Sequence, residues 1–162
     1  MLIRAETSSD IAAIRAVEEA AFGRPAEAAL VDALRDARDL TLSLVVVDGE
    51  RIVGHVGLSK MQAPFRALGL GPVAVLPGRQ RGGIGVGLIR EGLARAAAED
   101  WQGVFVLGDP AYYRRFGFEA DLARDFQSPY PGPFLMALSL FGGGLPVRTG
   151  RIDYAPAFAA LG

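Results

Sequence analysis

The chain has 162 residues, a formal net charge of −1, one histidine and no cysteine. A chain of this length can bury a hydrophobic core without disulfide bonds, so we expect a single domain over residues 1–162. The lack of cysteine excludes disulfides, thiolate metal sites and a cysteine acyl intermediate, and a lone histidine excludes zinc-protease spacing. A net charge this close to zero does not indicate binding to nucleic acid or to an anionic membrane. No N-terminal apolar signal region and no apolar run of about 18 residues occur, so a soluble cytoplasmic protein is expected.

The first sixty residues predict a strand, two helices and a hairpin. The segment MLIRAE is a short strand candidate, and TSSD has capping-box spacing, so Thr7 should cap a helix that runs through Phe22. Pro25 stands at the start of a second helix. The apolar runs on either side of Asp48-Gly49 predict two strands joined by a tight turn. The inward-facing helix positions are Ile11, Ile14, Val17, Leu30, Val31 and Leu34.

The rest of the chain alternates strands and helices. FRALGLGPVAVLP is a strand candidate interrupted by Gly71-Pro72, and GVFVLGD is a short buried strand with a long helix before it. PAYYRRFGF predicts a short helix that ends at Gly117. FLMALSLF and GRIDYAPAF predict two more strands joined by a Gly-rich turn. The order predicts an α/β fold with a mixed, mostly antiparallel sheet, a central parallel strand pair and flanking helices.

A Gly-rich turn stands where a strand should pass into the long helix. The stretch VLPGRQRGGIGVGLIREGL places four glycines near the helix start, although glycine costs roughly 1 kcal/mol inside a helix. The unpaired backbone N–H groups and the positive end of the helix dipole favour the binding of a phosphate group at this turn. Arg79 and Arg81 add positive charge beside it. The absence of Gly-Lys-Ser/Thr excludes a P-loop, and the glycine spacing departs from the dinucleotide fingerprint. A flexible surface turn with scattered arginines is the alternative interpretation.

Two motifs together resemble the GNAT superfamily of N-acyltransferases. Gln80 to Gly85 reads Q-x-x-G-x-G after a strand and at the start of a helix, which is similar to that family's coenzyme A pyrophosphate loop. Further along, Tyr113 to Phe118 is similar to the family's Y-x-x-x-G-F segment after the fifth strand. The order of elements also resembles the family over nearly the whole chain. Within it, GDPAYYRRFGF looks most similar to uncharacterised bacterial N-acetyltransferases.

The resemblance implies roles for individual residues. Tyr113 matches the tyrosine that protonates the departing thiolate, with packing as the alternative role; its neighbour Tyr112 is interpreted as packing, and Asp109 as a helix cap. The fourth-strand residues Val73 and Val75 could instead be core residues. The implied coenzyme A ligands are Val73, Ala74, Val75, Gln80, Arg81, Gly82, Gly83, Ile84, Gly85 and Val86.

The implied reaction is acetyl transfer from acetyl-CoA, as co-substrate, to a primary amine of a small molecule or peptide, without a metal. An amine with a pKa near 10.4 costs roughly 4–5 kcal/mol to deprotonate at pH 7, so a base is needed, and Glu18, Glu19 and His55 all remain candidates. Without cysteine, direct transfer in a ternary complex is favoured over a ping-pong mechanism.

A homodimer is one possible state. The alternatives are a non-catalytic acyl-CoA sensor and an α/β domain without a nucleotide ligand. The implied acceptor groove includes Phe22, Arg24, Phe126 and Tyr130, with SPYPGP shaping one wall.

Overall fold

The computed structural model describes residues 1–161 in two compact units. The first, called here the N-terminal unit, holds residues 1–59, 71–92 and 157–161. The second, the C-terminal unit, holds residues 60–70 and 93–156. Within the described residues, no helix combines the length and the apolar character needed to cross a membrane.

An antiparallel meander and two helices dominate the N-terminal unit. Strand β1 pairs with β2, and β2 pairs with β3, both antiparallel. The hairpin turns at Gly49, which has φ +64°, as the Asp48-Gly49 signal predicts. Thr7 precedes a 3-10 turn over Ser8–Asp10 that leads into α1, and in the capping box there its backbone N–H donates to the Asp10 carboxylate at 2.7 Å, so the predicted cap serves this turn and α1 itself begins after Asp10. The elements are β1 (Leu2–Ala5), α1 (Ile11–Phe22), α2 (Ala26–Asp36), β2 (Leu40–Asp48) and β3 (Arg51–Lys60), with 3-10 turns at Ser8–Asp10 and Pro77–Arg79.

The remaining strands complete a mixed sheet. Six strands follow the order β1-β2-β3-β4-β5-β7, in which β4 and β5 are parallel and β5 and β7 antiparallel. The predicted α/β architecture, mostly antiparallel with one parallel pair and flanking helices, is confirmed. The elements are β4 (Ala67–Val75), α3 (Ile84–Ala98), β5 (Gly103–Leu107), α4 (Pro110–Tyr113), α5 (Ala120–Ala123), β6 (Phe126–Gln127), β7 (Leu135–Ser139) and β8 (Gly150–Arg151), with 3-10 helices at Arg114–Phe116 and Pro156–Leu161.

The C-terminal segment differs from its predicted form. GRIDYAPAF is expected to be a full strand after FLMALSLF, but only Gly150–Arg151 is a strand, and it pairs in parallel with β6. Ile152 is fully buried in a cluster with Phe105 and Phe126, and Asp153 forms an isolated antiparallel bridge with Gln62, so packing and a single bridge hold this segment in place of a continuous strand. Pro156 lacks the N–H that a strand ladder needs, and a 3-10 helix begins there.

Candidate active site

The Gly-rich turn takes two backbone conformations with positive φ just before the helix. Arg81 has φ +66° and Gly83 has φ +85°, and α3 begins only at Ile84. The helix therefore starts late, and Gly82 and Gly83 belong to the turn rather than to the helix. The first N–H groups of a helix have no intrahelical partner, and a 15-residue helix adds its positive end to them. The arrangement can bind an anion.

Two side-chain contacts hold this turn to the strands of the N-terminal unit. Gln80 donates its side-chain amide to the carbonyl of Val75 at 3.0 Å, which ties the turn to the end of β4. Arg79 forms an ion pair with Asp48 at 2.8 Å. Arg81 is exposed and forms no ion pair with any residue of the described chain. Both arginines were expected to offer a positive charge to the phosphates. Arg79 is instead bound to Asp48, so Arg81 is the one that offers an unpaired charge within the described residues.

The last residues of β4 lie beyond its pairing with β5. The parallel register covers only Ala67–Gly69 against Gly103–Phe105. The Gly71-Pro72 bond is cis, and Gly71 has φ +133°. Residues 73–75, the predicted pantetheine ligands, follow this point. The exposure of these three residues alternates, since Ala74 is buried and Val73 and Val75 are half-buried. At the start of α3, Ile84 is buried and Gly85 and Val86 are half-buried.

Tyr113 lies at the end of the short helix α4 in the C-terminal unit. Asp109 caps this helix by accepting a hydrogen bond from the N–H of Ala111 at 2.9 Å, as predicted. The Tyr113 ring packs edge-to-face against Tyr112 and Phe118 at centroid distances of 5.0 and 5.9 Å. Burial, with a smaller contribution from Tyr112, raises the pKa of Tyr113 to about 12. The phenol therefore keeps its proton at every pH at which proteins are normally assayed.

Tyr154 is a residue that no sequence motif indicates. Its ring lies over Gly69 of β4, where a Cβ atom would come within 2.6 Å of it. Burial raises the pKa of Tyr154, with further contributions from Tyr130 and Tyr113. Tyr130 packs edge-on against the Tyr154 ring at 6.1 Å. Tyr154 thus packs beside the predicted acceptor residue Tyr130, and its place depends on contacts between distant parts of the chain.

The other predicted acceptor residues have different surroundings. In the N-terminal unit, Phe22 is 42% exposed and Arg24 donates to Glu27 at 3.0 Å. In the C-terminal unit, Phe126 is 5% exposed and its ring meets Phe105 edge-on at 5.4 Å. Phe126 is therefore a core residue, and it also reaches a cavity of about 380 Å³. That cavity is lined in part by Pro131, Pro133, Arg124, Asp121 and Leu135.

The candidate bases fall into two groups. Glu18 and His55 are fully buried and hydrogen-bonded to each other at 2.7 Å, whereas Glu19 is exposed. The second ring nitrogen of His55 lies 2.8 Å from the hydroxyl of Ser43, so both nitrogens have partners. Burial raises the pKa of Glu18, and the charge of Glu27 adds to this while the His55 hydrogen bond opposes it. Among residues 1–161 no three His, Cys, Asp or Glu side chains are grouped to hold a metal ion.

Comparison with known proteins agrees with this fold and these motifs. The sequence model of the acetyltransferase (GNAT) domain matches residues 2–120. The uncharacterized N-acetyltransferase YhbS of Escherichia coli strain K12 is 38% identical over 136 residues, which are 82% of this chain and 81% of that protein.

Two solved structures are similar over almost the whole chain. GNAT family N-acetyltransferase YhbS from Escherichia coli, in complex with CoA, has a TM-score of 0.91 and 34% identity, covering 98% of this chain and 91% of that one. A GNAT family acetyltransferase from Brucella melitensis, in complex with acetyl-CoA, has a TM-score of 0.82 and 41% identity, covering 97% of each chain. The fold and these relatives define an acyltransferase. The chain belongs to the GNAT family of N-acetyltransferases.

Proposed function

We propose that the protein moves an acetyl group from acetyl-CoA to a primary amine by direct transfer in a ternary complex. The turn at residues 80–83 carries this proposal, because Arg81 and Gly83 take positive φ immediately before the free N–H groups of α3. Such a turn suits the pyrophosphate of coenzyme A. The Escherichia coli and Brucella melitensis structures are complexes with CoA and acetyl-CoA.

The coenzyme A ligands proposed here all belong to the N-terminal unit. Residues 80–86 would receive the pyrophosphate on backbone N–H groups, with Arg81 as an exposed charge. Val73, Ala74 and Val75 would hydrogen-bond the pantetheine arm through the backbone of β4, since their strand has left its register with β5. The side chains of these three residues can at the same time pack on the core, so the core and ligand roles of Val73 and Val75 are compatible.

The proposed chemistry follows from the bonds that must change. The neutral amine attacks the thioester carbonyl carbon, so that a C–N bond forms and an oxyanion develops, which a β4 backbone N–H would stabilise. The C–S bond then breaks, the nitrogen gives its surplus proton to a general base, and Tyr113 donates its phenol proton to the departing sulfur and regains a proton from solvent. A phenol whose pKa is about 12 is fully protonated at neutral pH and is therefore ready to act as an acid. Because the chain has no cysteine, an acyl-cysteine intermediate is excluded.

The acceptor would be a small-molecule or peptide amine. Phe22 and Arg24 supply an exposed ring and a cation at the α1–α2 turn. Phe126 and Tyr130 supply aromatic surface in the C-terminal unit, although Phe126 has little exposed area. The cytoplasmic location, the homodimer and the single-domain organisation stay predictions.

The test combines binding with turnover. Acetyl-CoA at about 100 times its dissociation constant should stabilise the protein by roughly 2.7 kcal/mol, measured as a thermal shift. An amine library with detection of released thiol then identifies acceptors. Tyr113→Phe keeps the ring and removes the hydroxyl, so kcat should fall about 10²–10⁴-fold while acetyl-CoA binding is retained.

Tyr112→Phe is the matched control, because its ring packs against Tyr113 and its loss of a hydroxyl should leave kcat nearly unchanged. The kcat defect of Tyr113→Phe should be smaller for acyl donors whose leaving thiol has a lower pKa. Wild-type kcat in Tyr113→Phe would assign the acid to another group. Wild-type protein that binds acetyl-CoA but acetylates no amine would contradict the transferase and favour a sensor.

A further inference from the structure

A continuous chain of hydrogen bonds runs from the interior of the N-terminal unit to its surface. Glu18 Oε2 lies 2.7 Å from His55 Nδ1, and His55 Nε2 lies 2.8 Å from Ser43 Oγ. Ser43 Oγ also donates to Glu6 Oε1. Arg35 holds the same carboxylate from outside, with Nε and Nη2 at 2.8 and 2.9 Å. Glu18 and His55 are fully buried, whereas the side chains of Glu6 and Arg35 reach solvent.

The hydrogen-bond pattern fixes where the protons are. Burial alone would raise the pKa of Glu6, but hydrogen bonds from Arg35 and Ser43 outweigh it and the pKa lies below its ordinary value. Glu6 is therefore an ionised acceptor, and the single Ser43 proton points to it. Ser43 Oγ must then accept from His55, so Nε2 carries a proton. The remaining bond, between His55 Nδ1 and Glu18, shares one further proton.

At the Glu18 end of this chain one carboxylate oxygen, Oε1, is buried without a hydrogen-bond partner among the described residues. Phe22 follows Glu18 by one helical turn, on the same face of α1, and is exposed. On the other side, a Cβ at Gly57 would lie 3.8 Å from His55 Cε1 and 3.5 Å from the carbonyl of Gly71, so the imidazole lies near the part of β4 that precedes Val73.

Charged groups face the pair from α2 as well. Glu27 is buried and acts on Glu18, but its charge is compensated by Arg24. Asp32 accepts from both Arg15 and Arg35 at 2.8 and 3.0 Å. The surrounding acids are therefore each matched by an arginine, and the Glu18–His55 pair with its shared proton is the part of the network without a compensating arginine.

We propose that Glu18 is the proton acceptor of the transferase reaction and that His55, Ser43 and Glu6 relay the proton to solvent. The proposal rests on the function proposed above. The N–H proton of the acceptor amine passes to Glu18 Oε1 as the C–N bond forms, and the proton on the Glu18–His55 bond moves onto Nδ1. The imidazolium then gives its Nε2 proton to Ser43 Oγ, Ser43 gives its own proton to Glu6, and Glu6 releases it to water. The Glu18–His55 pair, Ser43 and Glu6 then hold as many protons as at the start, with the His55 proton on Nδ1 in place of Nε2, and the net transfer is one proton from the amine to water.

The first test uses Glu18→Gln, which keeps the side-chain shape and removes the proton acceptor. We expect kcat to fall about 10²–10⁴-fold with the acetyl-CoA thermal shift unchanged, and the defect to shrink for acceptor amines of lower pKa. Glu50→Gln, in the exposed β2–β3 turn, is the matched control and should have the wild-type pH profile. If Glu18→Gln has the wild-type kcat and pH profile, the relay is overturned and the proposed transferase function is unaffected. No acetylation by wild-type protein would overturn both.

Two further measurements keep the proposal testable if Glu18→Gln does not fold. Ser43→Ala interrupts the relay by removing the hydroxyl that bonds His55 Nε2, while the bond between Glu18 and His55 Nδ1 is left in place. We expect kcat to fall while the acetyl-CoA thermal shift is retained; an unchanged kcat would overturn the relay. Because His55 is the only histidine, ¹⁵N-histidine NMR of the wild-type protein gives one pair of ring signals. A proton on Nε2 supports the direction of the relay. A neutral ring protonated at Nδ1 alone would overturn it.

Discussion

The ring of Tyr113 lies directly on the backbone of Gly108, where a Cβ atom would overlap Cε2 and come within 2.8 Å of Cδ2 of the ring. Gly108→Ala should therefore displace Tyr113, because real Cβ atoms do not approach a ring this closely. We expect a lower kcat, since the proposed acid leaves its position, and a free energy of unfolding reduced by about 1–3 kcal/mol from overpacking. Turnover assays and urea unfolding measure the two effects.

Gly87→Ala is the control for the stability part of this experiment. A Cβ at Gly87 would lie 3.5 Å from Ile3 Cδ1, which is ordinary van der Waals contact, inside helix α3. This substitution should raise the free energy of unfolding by roughly 1 kcal/mol, because alanine is the better helix former. Unchanged unfolding and turnover in Gly108→Ala would mean that the Tyr113 ring adjusts without cost.

A carboxylate at position 83 should abolish the binding of acetyl-CoA. Gly83 faces open space at φ +85°, so Gly83→Glu combines a negative charge at the anion-binding turn with backbone strain. Gly83→Ala carries the strain alone and should lose affinity to a smaller extent. The thermal shift with acetyl-CoA compares the two variants. An undiminished shift in Gly83→Glu would show that this turn does not bind the phosphates.

The two arginines of the turn should differ in their effect on the binding of coenzyme A. Arg81 is exposed and unpaired within residues 1–161, so Arg81→Ala should weaken binding modestly and flatten the dependence of Kd on salt. Arg79 is bound to Asp48, so Arg79→Ala should change that dependence less. Isothermal titration at several salt concentrations gives both slopes. Equal slopes for the two variants would contradict a separate role for Arg81.

Asp10 should make the stability of the protein depend on pH in the acid range. The Arg4 guanidinium, hydrogen-bonded to Asp10 at 2.6 Å, lowers the pKa of this carboxyl to about 2. A pKa that is lower in the folded state stabilises the protein above about pH 4, and this contribution disappears as the pH falls toward 2. Asp10→Asn should therefore be less stable than wild type at pH 7, with a difference that narrows between pH 4 and 2. Urea unfolding across this range tests it, and Asp36→Asn, at an exposed position, should show no narrowing.

Local signals predicted most of the fold. The Asp48-Gly49 turn, the capping box at Thr7 and the Gly-rich turn before the long helix are each encoded within a few neighbouring residues, and the structure has all three. The family motifs likewise lie in short continuous stretches. The C-terminal strand was overpredicted because its apolar residues also suit a packed, irregular segment, in which Ile152 is buried and the strand ends at Arg151.

The candidate site was harder to predict where it depends on contacts between distant residues. Glu18, Glu19 and His55 could not be distinguished by sequence, because neither periodicity nor spacing indicates that Glu18 meets His55. The hydrogen bond at 2.7 Å depends on how α1 packs on β3. The pairing of Arg79 with Asp48 could not be predicted from the sequence for the same reason, because it joins a turn to a hairpin that is distant along the chain.

The fit between Gly69 and Tyr154 constrains how this chain can diverge. The Tyr154 ring occupies the space that any side chain at position 69 would need. A side chain added at position 69 alone would overlap the ring, and loss of the ring at position 154 alone would leave a void. A side chain at position 69 is therefore tolerated only together with a smaller residue at position 154. Relatives that carry a side chain at the position of Gly69 should therefore lack an aromatic ring at the position of Tyr154, and this co-variation can be read from sequences without any enzyme assay.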